Sequence, residues 1–215
     1  MMHREQLLAN LEKQHPVLTG AIPAINELCD KLIALFDRGG RLFIAGNGGS
    51  MADAQHIAGE LIKSFECKRK LAAEDKKLFQ ELPAGGQIAD QLENGLPVYV
   101  LGLNHSLTTA ILNDFEADHL EFAQELWVLG NKNDLFLGIS TKGKAKNILH
   151  VMVVAKAKGM FTVAFTGKAP NPMTDLADLS ICMPDILTAN IQEMQQIVYH
   201  AVSRIIESHY FKNSK

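Results

Sequence analysis

The chain has 215 residues, 47% of them hydrophobic and 21% charged, the balance of a globular protein long enough to bury one substantial core. A formal net charge of -3 offers no broad attraction to phosphate backbones or anionic lipid, so neither nucleic acid nor a membrane is expected as a partner. Three widely spaced cysteines (Cys29, Cys67, Cys182) with no CxxC pair, no leader-like N-terminus and no apolar run of about 18 residues lead to the expectation of a soluble, cytoplasmic protein with structural thiols.

In chain order, helical patterning covers residues 4–14 and 18–37, with Pro16 at the break and "RGG" closing the second, so residues 1–38 read as N-terminal helices. "RLFIAG" (41–46) is a short apolar run ending in glycine, a buried strand. Met51, Ala54, Ile57, Ala58, Leu61 and Ile62 form one face of a helix over 50–65. Residues 66–95 break the rhythm: polar, lysine-rich and interrupted by "PAGG", they read as a helical insertion, either a solvated flap or a lid. Strand candidates follow at 96–103, 134–140, 161–167 and 179–184, with helices near 106–126, 143–158 and 186–211. Strands separated by helix-length segments predict an α/β fold, a doubly wound five-stranded parallel sheet in a single domain over 1–215. Trp127 reads as packing, and His3, His15, His150 and His209 as solvated.

Two strands run into small, polar turns that open helices, "FIAGNGGSMADAQ" and "FLGISTKGKAKNIL". Unpaired N–H groups and the helix dipole at such a turn favour an anion, and two turns on one sheet point to a phosphorylated small ligand. Neither GxGxxG nor GxxxxGK[ST] is present, so no nucleotide cofactor is expected. His56 and Glu60, four residues apart, share a helix face, where they could share a proton, ligate a metal or form a surface pair. Gln192 and His200 on the last helix stand eight residues apart, about 12 Å along an ideal axis, and cannot easily meet at one atom unless the helix is distorted or a second chain contributes.

In order, "GNGGSMADAQHIAGEL", "AILNDF", "NDLFLGISTKG", "VAFTGK" and "NIQEMQQIVYH" resemble the signature segments of the sugar isomerase (SIS) domain proteins, most closely their phosphoheptose isomerase branch. The resemblance implies a flavodoxin-like three-layer sandwich and a ketose phosphate–aldose phosphate isomerase acting on a substrate like sedoheptulose 7-phosphate. It implies sugar-phosphate contacts from Asn47, Gly48, Gly49, Ser50, Asn113, Asp114, Ser140, Thr141, Lys142 and Gln192. It makes Glu60 and His200 the acid-base pair, matches His56, Glu60, Gln192 and His200 to a zinc site found in some members, and implies a homotetramer with shared sites. Such an isomerisation moves a proton between adjacent carbons through an enediol, which needs a base and an acid. Two departures stand out: the usual "STSGNS" turn is "STKGKA", with Lys142, Lys144 and Ala145 at altered positions, and Gln195 replaces a histidine. A non-catalytic, sugar-phosphate-binding relative of the DnaA initiator-associating type is the alternative the altered turn favours.

Overall fold

The computed structural model describes residues 4–211; His3 and the chain ends lie outside the described residues. Five parallel strands, β1 (Leu42–Gly46), β2 (Val98–Val100), β3 (Leu135–Ser140), β4 (Phe161–Thr166) and β5 (Leu179–Cys182), lie in the order β2-β1-β3-β4-β5. The order reverses beside β1, so a crevice opens at the carboxyl ends of β1 and β3, where ligands bind in such sheets.

The doubly wound expectation is borne out, and the strands show why. Leu42 and Ile44 face one core with Leu135, Leu137, Val163 and Phe165, while Phe43 and Ala45 face the other with Phe136 and Ala164. The central strands β1 and β3 are buried on both sides because helices cover both faces. α2 (Ile22–Asp37), α3 (Gly49–Ile62) and α10 (Thr188–Phe211) cover the first face, with α1 (Arg4–Gln14) outside them. α7 (Glu121–Leu129), α8 (Lys146–Ala157) and α9 (Pro172–Leu176) cover the second. The insertion holds two short helices, α4 (Ala73–Lys77) and α5 (Gly85–Gln91), and leaves Leu78, Leu82, Ile88 and Leu92 exposed.

Several boundaries differ from the periodic reading. The helix expected over 106–126 is two, α6 (His105–Asp114) and α7: Phe115 leaves α6 in an extended conformation, and His119 in the 115–120 link takes the left-handed region, φ 65°. The stretch before α2 opens with a 3-10 helix, Pro16–Ala21, and β2 is a three-residue edge strand rather than the full 96–103 run. Trp127 is not packed: it is 57% exposed on α7, and its indole carries the Lys158 ammonium 4.5 Å from the ring centroid. His150 is tied through Nδ1 to the His119 carbonyl at 3.2 Å.

The end of α3 is fastened to α10 by a buried ion pair. Arg69 is 0% exposed and reaches Glu207 at 2.8 Å, while Glu207 also accepts the amides of Phe65 (2.8 Å) and Glu66 (2.9 Å). Burial pushes the Glu207 carboxyl upward, but the two amides and Arg69 outweigh it and hold it below the usual carboxylate range. A depressed folded-state value means the stabilisation is present above about pH 4.3, the free glutamate value, and is lost as pH falls through the folded value. Glu207→Ala strands a buried guanidinium and is expected to cost about 3–5 kcal/mol, read as a lower urea midpoint with the acid-side loss of stability flattened.

Candidate active site

The crevice at β1 is built by its turn. Gly48 takes φ 54°, which suits glycine, and Gly49 lies against the tip of the Gln192 side chain, whose amide nitrogen would stand 2.3 Å from a Cβ there. The turn delivers α3 alongside α10. The two helices run in the same direction: Gly49 lies by Gln192, His56 by Tyr199, and Glu60 by His200.

That pairing makes a compact acid-base cluster. Glu60 is 5% exposed, and its Oε1 lies 3.2 Å from His56 Nε2 and 3.2 Å from His200 Nε2. Neither geometry is that of a hydrogen bond, and among the described residues both carboxylate oxygens are buried without a hydrogen-bond partner. The Phe65 ring stacks on His200 at 5.7 Å. Tyr199 Oη lies 2.9 Å from His56 Nδ1 and 3.5 Å from Asp53 Oδ1. With Tyr199 donating to Asp53 and accepting from Nδ1–H, His56 keeps the tautomer whose Nε2 lone pair faces Glu60. Burial lowers His200 below the ordinary imidazole range, with Glu60 opposing that and His56 and Arg204 reinforcing it. Burial also raises Asp53, against Tyr199 and His56.

His56, Glu60 and His200 form a group that could hold a metal ion, their donor atoms lying within 4.8 Å of one another. Tetrahedral zinc ligands at about 2.0–2.1 Å stand roughly 3.3 Å apart, so the two 3.2 Å separations and the orphaned carboxylate oxygens fit such an ion. Gln192, the fourth expected ligand, lies two turns up α10 against Gly49 and is not brought to the group within one chain.

The expected phosphate-side residues gather elsewhere. Thr141, Lys142, Lys144 and Lys168 line a cavity at the carboxyl ends of β3 and β4, closed by Pro170, Asn171, Asp185 and Ile186. Ser140 ends β3 beneath it, and its carbonyl accepts Thr166 Oγ1 at 2.7 Å. Asn47 is exposed but engaged: its amide and that of the buried Asn147 each donate to the other at 2.9 Å, and Asn147 also donates to Glu121 at 2.7 Å. Ser50 is buried in the first turn of α3. Asn113 and Asp114 sit exposed at the end of α6, hydrogen-bonded to each other at 2.8 Å. Gln195 is fully buried and donates to the Phe165 carbonyl at 3.1 Å, so the substitution there faces the sheet and not the cluster.

Sequence reasoning passed over Asp53, Tyr199, Asn147, Glu121 and Lys168. Asp53 was findable, since it shares the His56–Glu60 face at i, i+3, i+7. Asn147 and Glu121 carry no local signal; only the fold pairs them with Asn47.

The two groupings are separate within one chain. Thr141 and Thr188 hydroxyls lie 3.5 Å apart, and His200 is twelve residues further along α10, about 18 Å on an ideal helix. Seven extended bonds from a ketose carbonyl carbon at C2 to a phosphorus on C7 span roughly 8 Å, taking about 3.6 Å per three bonds.

A model of the SIS domain matches residues 107–201. The chain is 33% identical over 208 residues to the phosphoheptose isomerase of Roseiflexus sp. (strain RS-1), covering 97% of this chain and 93% of that one. It is 37% identical to that of Burkholderia pseudomallei (strain 1710b) over 88% of this chain and 84% of the relative. The fold matches a solved phosphoheptose isomerase from Francisella tularensis with TM-score 0.73 at 24% identity, covering 97% of this chain and 100% of that one. With the parallel sheet, the glycine turn and the His56–Glu60–His200 cluster in place, these likenesses show that the chain belongs to the phosphoheptose isomerase family of SIS-domain proteins.

Proposed function

We propose that the chain interconverts a ketose phosphate and an aldose phosphate, with sedoheptulose 7-phosphate as substrate, through an enediol. The observation that carries this reading is the buried Glu60 carboxylate, free of hydrogen bonds among the described residues and flanked by His200. Such a carboxylate, acting as base, takes the proton from C1 of the ketose, the electron pair forms the C1–C2 double bond, and the carbonyl oxygen is protonated. Return of a proton to C2 and loss of the C1 hydroxyl proton complete the aldose. His200, 3.2 Å from Glu60, serves the two oxygens, and a titratable imidazole suits that transfer. His56, Glu60 and His200 are the residues that would hold zinc, which when bound polarises a carbonyl and stabilises enediolate charge. Tyr199 and Asp53 keep His56 in the tautomer that leaves Nε2 free.

The chain acts as a homotetramer whose sites combine Glu60 and His200 of one subunit with the lysine-lined cavity of another. The separation of about 18 Å against a ligand span of roughly 8 Å supports this, as do exposed apolar residues such as Leu103, Leu112 and Phe115. Around the cavity, Lys142 stands where the family pattern has a serine, Lys144 where it has an asparagine, and Lys168 lines the same space, so capture of the phosphate rests more on Coulomb attraction than on fixed donor geometry. Exposed ammonium groups are screened by salt, so KM for the sugar phosphate is expected to rise severalfold from low to high ionic strength while kcat stays level; steady-state kinetics at two salt concentrations checks this.

The direct test follows sedoheptulose 7-phosphate by NMR in deuterated water. Aldose phosphate appears and solvent deuterium enters at carbon. Binding without turnover or exchange rejects the isomerase in favour of a sugar-phosphate-binding protein.

A further inference from the structure

We infer that Arg69 is a positioning residue for the acid-base cluster, holding the backbone of Glu60 so that its carboxylate meets His200. The kinetic part of the test rests on the isomerase reading; the spectroscopic part does not.

α3 ends at Ile62, so the carbonyls of its last turn have no partner within the helix. Arg69 Nη2 donates to the Glu60 carbonyl and Nη1 to the Leu61 carbonyl, each at 2.8 Å. Its charge sits where the helix dipole is negative. The same guanidinium gives Nε to Glu207 at 2.9 Å, and Glu207 lies on α10 seven residues beyond His200, about 10 Å along the axis. One planar group therefore fixes the spacing between the helix that carries Glu60 and the helix that carries His200.

Among the described residues the Glu60 carboxylate has no hydrogen bond of its own to hold it. Its position follows from its backbone, and Arg69 is bonded to that backbone at Glu60 itself. The Phe211 ring covers the guanidinium at 4.5 Å, and with Arg69 fully buried no water competes for these bonds. A lysine offers a point charge on a flexible stem and cannot span carbonyls and a carboxylate on two helices at once. A purely structural role would tie down residues 63–96 without affecting the chemistry, and the following experiment separates the two.

Two variants of the full-length protein are compared with wild type: Arg69→Lys, and the double variant Arg69→Met with Glu207→Leu. The double variant removes both charges together, so neither is left buried alone, and a thermal melt establishes that it folds, although the Phe65 and Glu66 amides lose their acceptor. In both, kcat for sedoheptulose 7-phosphate is expected to fall about tenfold or more with KM within about threefold, the mark of a misplaced reacting group. The imidazole nitrogen NMR signals of His56 and His200 are expected to move in both. Wild-type kcat together with unmoved imidazole signals in the folded double variant overturns the inference. If the wild-type protein itself turns over no ketose phosphate, the isomerase reading fails, and the imidazole signals alone still decide the role of Arg69.

Discussion

Glu60→Gln is expected to lower kcat for sedoheptulose 7-phosphate by about 10² to 10⁴, the range a positioned general base contributes, with little change in KM. The amide is nearly isosteric and leaves the packing of α3 on α10 undisturbed, so the thermal midpoint should stay within a few degrees of wild type. Two consequences separate this from a general loss of structure. Solvent deuterium should no longer enter the substrate carbon, because that exchange needs the base itself. Zinc binding, followed by competition with a chromogenic chelator, should also weaken, because an amide oxygen is a poorer ligand than a carboxylate. Full turnover in Glu60→Gln would remove Glu60 from the mechanism and with it the role given to His200.

Mixing two inactive variants should restore activity. Glu60→Gln disables the cluster, and a variant with Thr141, Lys142 and Lys144 changed to alanine disables the anion cavity. If each site draws its cluster from one subunit and its cavity from another, random co-assembly of equal amounts leaves both halves intact in about a quarter of the sites. Activity should therefore return to roughly a quarter of wild type after the variants are co-expressed or unfolded and refolded together. A site made within one chain gives no recovery, because every chain then carries a defect. The physical ground is distance: a ligand spanning roughly 8 Å falls short of the about 18 Å along α10 between Thr188, which meets Thr141 at the cavity, and His200. The same result would account for the exposed apolar residues of α6 and its flanks, Leu103, Leu112 and Phe115, as buried in the assembly.

Much of the fold was legible in the chain because its signals are local. Five apolar runs separated by helix-length segments demand a parallel sheet covered on both faces, and the alternation of Leu42 and Ile44 with Phe43 and Ala45 shows both cores at work. The "GNGGS" turn and the His56–Glu60 spacing were legible for the same reason, since three or four residues suffice to set a turn or a helix face. The readings that failed also failed locally. An amphipathic pattern over 106–126 does not register the extended Phe115 and left-handed His119 that divide it, and an indole in an apolar stretch does not reveal that Trp127 faces outward.

What the sequence determined by itself was therefore the class of the fold, the anion-favouring turns and a histidine and a carboxylate on one helical face. Only the tertiary structure decided what those two residues meet. It set α10 beside α3 in the same direction, which places His200 at Glu60, Tyr199 at His56 and Gln192 two turns away at Gly49. It carried the lysines of the altered turn to the far end of α10, and it threaded Arg69 from the insertion back onto the Glu60 carbonyl. These are contacts between residues up to about 140 positions apart, and they depend on how two helices pack on a sheet and not on any pattern along the chain.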